Sequence, residues 1–173
     1  MHIPDAIRER RSVRAFTDRE ITDEKAEILV EAACLAPSAG NLQPWEFVAV
    51  RDPGVKRKLV DAAHGQSFIF TAPVVFVVCA IPRRSASGYG RRGRELYCLQ
   101  DTAAAVQNLL LTARANGLGS CWVGAFDERR AGEALGLPKG VRPVAIVPVG
   151  YPAERPSRRP RRPIGQVLHK ERW

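Results

Sequence analysis

The chain has 173 residues, 45% of them hydrophobic and 26% charged, which suits one domain with a buried core and excludes a disordered or collagen-like polymer. Its longest apolar run, Ala72 to Ile81, has 10 residues where a bilayer span needs about 20, and the start around His2, Pro4 and Asp5 lacks the basic and apolar regions of a leader, so neither a spanning helix nor a secretory signal is expected. The formal charge of +9 is concentrated: residues 82–94 hold five Arg and no acid, residues 151–173 hold seven Lys or Arg against Glu154 and Glu171, and the rest sums to −1.

In chain order, a helix beginning near Pro4 runs up to the cluster of Arg10, Arg11, Ser12 and Arg14. Thr22, followed by Asp23 and Glu24, opens a second helix, with acids at the positive end of its dipole. Its apolar stripe of Ile21, Ile28, Leu29, Ala32, Ala33 and Leu35 runs up to Pro37. Trp45 to Arg51 alternates as a strand, Pro53 to His64 reads as a helix, and Pro73 to Ile81 reads as a buried strand. Pro82 to Gly93, rich in Arg and Gly, reads as a surface loop.

The longest helical signal covers Arg94 to Asn116, with Leu96, Leu99, Ala103, Val106, Leu110 and Ala113 at helical spacing and Gly117 as the stop. Its small residues Ala103, Ala104 and Ala105 suit a core axis or a subunit interface. Ser120 to Gly124 follows as a strand, Asp127 to Leu135 as a short capped helix, and Arg142 to Val149 as a last strand. Helices and strands alternate, so the class is mixed α and β in layers. The whole chain, 1–173, reads as one domain, with a body of 1–150 and an Arg- and Pro-rich arm of 151–173.

Gly88, Gly90 and Gly93 spell G-x-G-x-x-G. A dinucleotide fingerprint follows a strand directly and opens a helix, whereas Pro82 to Ser87 intervene here, so the match is set aside. The three His stand singly, and Cys34, Cys79, Cys98 and Cys121 lie far apart. That spacing offers no zinc site or paired nucleophile and suggests buried free thiols in a reducing cytoplasm. The C-terminal Arg run lacks interleaved aromatics, and the charge sits in two separate segments on a near-neutral body, so a nucleic-acid face is not expected.

Three polar clusters remain. Arg10, Arg11, Ser12 and Arg14 place three guanidiniums and a hydroxyl within five residues, a donor set for phosphate or else a solvated turn. Pro37 to Trp45 sets Ser, Asn and Gln around a glycine between a helix and a strand. Asn116 to Asp127 includes Gly124, which lets a backbone N–H face a ligand.

In this order the clusters resemble the nitroreductase family of FMN-dependent oxidoreductases. The resemblance is carried by Arg10 to Phe16, Pro37 to Trp45, Gln100-Asp101 through Leu110, Gly117 to Asp127, Gly150-Tyr151-Pro152 and the late Arg-Pro run. It implies an α+β, three-layer α/β/α fold with a central mixed sheet and a long central helix. It also implies a homodimer with FMN at the interface and a C-terminal arm reaching the partner.

By the same resemblance Arg10, Ser12, Arg159 and Arg161 hold the phosphate, Arg11 lies beside it and the ribityl chain, and Arg14 reaches the pyrimidine rim. Pro37, Ser38, Ala39, Asn41 and, more weakly, Gln43 pack the ring from the partner subunit. Gly124 and Ala125 offer amides to its N5 and O4 edge, and Gln66 touches the ribityl chain.

The chemistry then belongs to the flavin, which explains why no catalytic acid or base stands out. The implied activity is ping-pong transfer from NADPH or NADH to a nitroaromatic, quinone or enone. The alternative is a flavin-binding protein that carries or senses redox state without turnover.

Overall fold

The computed structural model describes residues 2–173. Four strands form one sheet in the order β1-β2-β4-β3: β1 (Trp45–Val50), β2 (Val74–Ala80), β3 (Gly119–Ser120) and β4 (Arg142–Gly150). Every pairing between these strands is antiparallel. The parallel part of the expected mixed sheet reduces to one bridge, Ser12 to Ser120, at the β3 edge.

Seven helices surround the sheet: α1 (Ile3–Glu9), α2 (Asp23–Cys34), α3 (Pro53–Ala62), α4 (Phe68–Thr71), α5 (Pro82–Arg92), α6 (Cys98–Ala115) and α7 (Glu128–Leu135). Two cores separate across the sheet. Val74, Phe76 and Val78 of β2 face α2 and α6, while Val75, Val77 and Cys79 face α3, α4 and α7. Because both faces are covered, β2 is buried along its whole length and needs an unbroken apolar run. Each fully buried Val or Phe contributes roughly 1.5–3 kcal/mol as an upper bound. The three layers are thus in place.

Local chemistry sets the ends. Thr22 Oγ1 accepts the Lys25 N–H at the start of α2, and Asp52 Oδ1 accepts the Val55 N–H at 2.8 Å at the start of α3. Gly117 stops α6 in the left-handed region (φ 74°), where Leu118 N–H returns to the Ala113 carbonyl at 2.9 Å. Ile28 and Leu35, counted in the α2 stripe, are exposed, and the buried face is Ala26, Leu29 and Ala33. Cys34 is likewise exposed, unlike the other three thiols.

Pro82 to Gly93 is not a loop. It forms α5, kinked at Tyr89 and Gly90, and runs through a π-helical turn, Gly93–Tyr97, into α6. Pro82 supplies a proline-compatible first turn, and Gly93 packs so closely that a β-carbon there would lie 2.2 Å from the Ser85 carbonyl oxygen. The strand expected over Ser120 to Gly124 shrinks to Gly119–Ser120, with a separate bridge from Val123 to Ile146.

Candidate functional site

The chain's two ends build the site. After α1, Val13 N–H donates to the Ser120 carbonyl at 3.0 Å, and Gly119 lies so close that a β-carbon would meet the Val13 side chain at 2.8 Å. Farther on, Thr17 N–H bonds the Tyr151 carbonyl and Ala153 N–H bonds the Ala15 carbonyl, each at 2.9 Å. The Glu154 carboxylate accepts the N–H groups of Arg14 and Ala15. The start of the arm is therefore laced to residues 12–17, which brings the late arginines opposite the early ones.

Between them opens a cavity of about 660 Å³, lined by Arg10, Arg11, Ser12 and Arg14 on one side and Arg158, Arg159 and Arg161 on the other. Thus all six residues expected at the phosphate end and flavin rim share one cavity. Arg8 and Arg158 join them unanticipated, although Arg8 stands one helical turn before Arg11 and Arg158 belongs to the same basic run. Among the described residues none of these guanidiniums pairs with a carboxylate side chain. So many unpaired cations suit a multiply charged anion such as a phosphate monoester.

The individual roles differ. Arg11 folds back onto the carbonyls of Arg8, at 2.6 Å, and Arg10, at 2.9 Å, and so caps the C-terminal end of α1. Arg14 sits 5.6 Å above the Phe68 ring centroid, within cation–π range. Behind this wall, burial pushes the Cys121 thiol pKa up against the pull of Arg14, Ser12 and Arg10. Burial and then Glu46 push the Cys79 thiol to about 12. Neither thiol is poised as a thiolate nucleophile.

Gly124 and Ala125 lie exposed beyond Val123, and their amides donate to no acceptor among the described residues. Gln66 spends its amide nitrogen on the Ala63 and Ala125 carbonyls, each at 3.1 Å. It therefore fixes Ala125, and only its side-chain oxygen is left for a ribityl chain.

Pro37, Ser38, Ala39, Asn41 and Gln43 do not line the arginine cavity of their own chain. They form a compact turn in which Gly40 (φ 56°), Asn41 (φ 55°) and Gln43 (φ 47°) are left-handed. That costs about 1 kcal/mol or more at each non-glycine residue. Ser38 Oγ accepts the Gln43 N–H at 3.0 Å. From α5, Arg84 donates to the Gln43 carbonyl at 2.7 Å and to Glu46 at 2.9 Å. From α6, Asp101 Oδ2 accepts the Ala39 N–H at 3.2 Å. Sequence reasoning missed Arg84 and Asp101, whose partners are remote in the chain.

Among the described residues no three His, Cys, Asp or Glu gather as a metal site, and no helix is long and apolar enough to cross a membrane. The fold and the site define a class: an α+β protein built around a cationic anion pocket, with exposed backbone amides nearby. The Nitroreductase family profile matches residues 7–68 and 62–151. A protein of Archaeoglobus fulgidus described as an NADH dehydrogenase/NAD(P)H nitroreductase is 38% identical over 170 residues, covering 95% of this chain and 94% of that one. The oxygen-insensitive NADPH nitroreductase of Salmonella typhimurium is 31% identical over 94% of this chain and 71% of its own. The NADPH:FMN oxidoreductase of Vibrio harveyi, solved with NAD+, superposes with a TM-score of 0.90 at 28% identity, covering 99% of this chain and 77% of that one. The chain belongs to the nitroreductase family.

Proposed function

We propose that the protein is an FMN-dependent NAD(P)H oxidoreductase that works as a homodimer. The observation that carries this reading is the cavity where Arg10, Ser12 and Arg14 face Arg159 and Arg161 with no competing salt bridge. Arg10, Ser12, Arg159 and Arg161 would hold the FMN phosphate, and Arg14 the pyrimidine rim, where a permanent cation favours added negative charge. Arg11, by capping α1, would hold Arg10 and Ser12 in place beside the ribityl chain.

Gly124 and Ala125 would donate their amides to the N5 and O4 edge, with Gln66 steadying Ala125. FMN held there would supply the redox chemistry that links NADPH or NADH, in ping-pong order, to a nitroaromatic, quinone or enone. This chain's residues bind and orient the reactants and leave one exposed face for both.

Two features support the partner's contribution. Pro37, Ser38, Ala39, Asn41 and Gln43 form an exposed or half-buried turn apart from their own arginine cavity, as ring contacts supplied across an interface require. Residues 157–173 are exposed throughout and carry Ile164, Val167, Leu168 and Trp173 outward, as an arm covered by a second copy requires.

The test is flavin retention and bleaching. The purified wild type is expected to bind FMN and lose its visible absorbance under anaerobic NADPH or NADH. Arg10→Ala and Arg161→Ala should each weaken FMN binding roughly 10- to 150-fold, the loss of one charge-assisted bond. Unchanged binding in both variants would overturn the phosphate assignment. Bound flavin that neither reductant bleaches would leave a carrier or sensor.

A further inference from the structure

We propose that Asp101 is a positioning residue for the flavin ring, acting through the Ala39 amide; its flavin consequence rests on the function proposed above. Asp101 sits on α6, is only 8% exposed, and has no salt-bridge partner among the described residues. Among the described residues its carboxylate makes one hydrogen bond, accepting the Ala39 N–H from 62 residues earlier in the chain. A buried carboxylate with a single neutral donor is unfavourable for folding, and an apolar side chain would avoid that penalty. What the carboxylate adds is an acceptor for an amide that otherwise has none among the described residues.

The place of that amide matters. Ala39 opens the 3₁₀ turn Ala39–Asn41, directly after Ser38 leaves extended backbone (φ −141°, ψ 151°). The left-handed residues Gly40, Asn41 and Gln43 follow, and the turn closes when Ser38 Oγ accepts the Gln43 N–H. Arg84 and Tyr89 hold the far side: Arg84 grips the Gln43 carbonyl, and the Tyr89 hydroxyl lies 2.9 Å from where a Gly40 β-carbon would be. Asp101 holds the near side through the Ala39 N–H. Through Ala39 it sets the height and tilt of Ser38 and Asn41, which face the partner's ring in the proposed dimer.

The experiment uses the full chain and four variants: Asp101→Asn, Asp101→Leu, Ala39→Pro and the Leu/Pro double. Proline removes only the donor, since Ser38 is already in the extended region that precedes proline and the first residue of a helical turn accepts it. Hydrogen exchange of residues 38–43 is measured without FMN, and visible circular dichroism and FMN affinity are measured with it.

Asp101→Leu and Ala39→Pro are each expected to speed exchange of the loop about tenfold, equivalent to about 1.4 kcal/mol. Each should also change the flavin's dichroism, with a smaller loss of affinity than Arg10→Ala. Asp101→Asn keeps an acceptor and should restore both signals, and the double variant should be no worse than either single. Wild-type exchange in Asp101→Leu and Ala39→Pro, or an Asp101→Asn as impaired as Asp101→Leu, would overturn the proposal. Failure of the wild type to bind FMN would overturn the proposed function and with it the flavin consequence, while loop exchange still decides the Asp101–Ala39 link.

Discussion

A β-carbon added at Gly93 has nowhere to go, because the atom it meets is the Ser85 backbone carbonyl rather than the end of a flexible side chain. Gly93→Ala is therefore expected to lower stability by at least about 2 kcal/mol, as overpacking against backbone does, read as a shift in the urea midpoint at unchanged slope. The glycine triplet has a structural explanation: Gly90 takes φ 53°, ψ −135°, and Gly88 lies against Leu42. At this scale the sequence was legible where chemistry concentrates locally. Arg10, Ser12 and Arg14 stand within five residues, a donor set for phosphate or else a solvated turn, and Arg159 and Arg161 lie in one basic run; the fold sets all five around one cavity. Asp101 stood only within a run that carries the resemblance, and Arg84 only within a basic segment; neither was given a site role, since each acts on a backbone group that only the folded chain brings near.

Elements were legible where caps and periodicity agreed. Helix α7 begins where Asp127 Oδ1 accepts the Arg130 N–H at 2.9 Å, and that bond, with the nearby arginines, holds the Asp127 pKa below its usual value. A carboxyl depressed in the folded state stabilises above its unfolded pKa, and the contribution is lost as pH falls through the folded pKa. Asp127→Ala should accordingly lower Tm at neutral pH, with the gap to wild type closing in acid below the usual Asp range; a gap that persists there would remove the ionised cap as its cause. Helix α5 was illegible because its exposed face is arginine, it holds Gly88 and Gly90, and Gly93 follows directly after it. It is helical through tertiary support, with Ser85 buried and Arg84 bridging to Glu46, to which Arg91 adds a local i,i+4 pair with Glu95 at 2.8 Å. Propensity is a weak prior and packing overrode it.

For the molecule as a whole, the alternating faces of β2 predict two cores, and two cores are present. The layered class was legible in the alternation of helices and strands, and the three layers in the family resemblance, whereas the antiparallel course of the sheet was not, since a doubly covered strand has the same apolar run in either direction. The arm's basic run was visible, but the lacing of Ala15 and Thr17 to residues 151–153 depends on backbone geometry alone. Deleting residues 157–173 removes Arg158, Arg159 and Arg161 together with the exposed Ile164, Val167, Leu168 and Trp173. The shortened chain should run as a monomer by light scattering and bind FMN far more weakly. A dimer that keeps its flavin would show that the arm serves neither purpose.

The lacing also gives the protein a clock. One wall of the arginine cavity is made near the beginning of translation and the other near its end, and Glu154, which fixes Arg14 and Ala15, emerges after all four strands. All four strands and seven α-helices lie before residue 154, whereas Arg158, Arg159 and Arg161 of the second cavity wall lie after it. With the phosphate held as proposed, cofactor loading waits for the arm, and a copy clipped before residue 157 is expected to bind FMN far more weakly than the full chain.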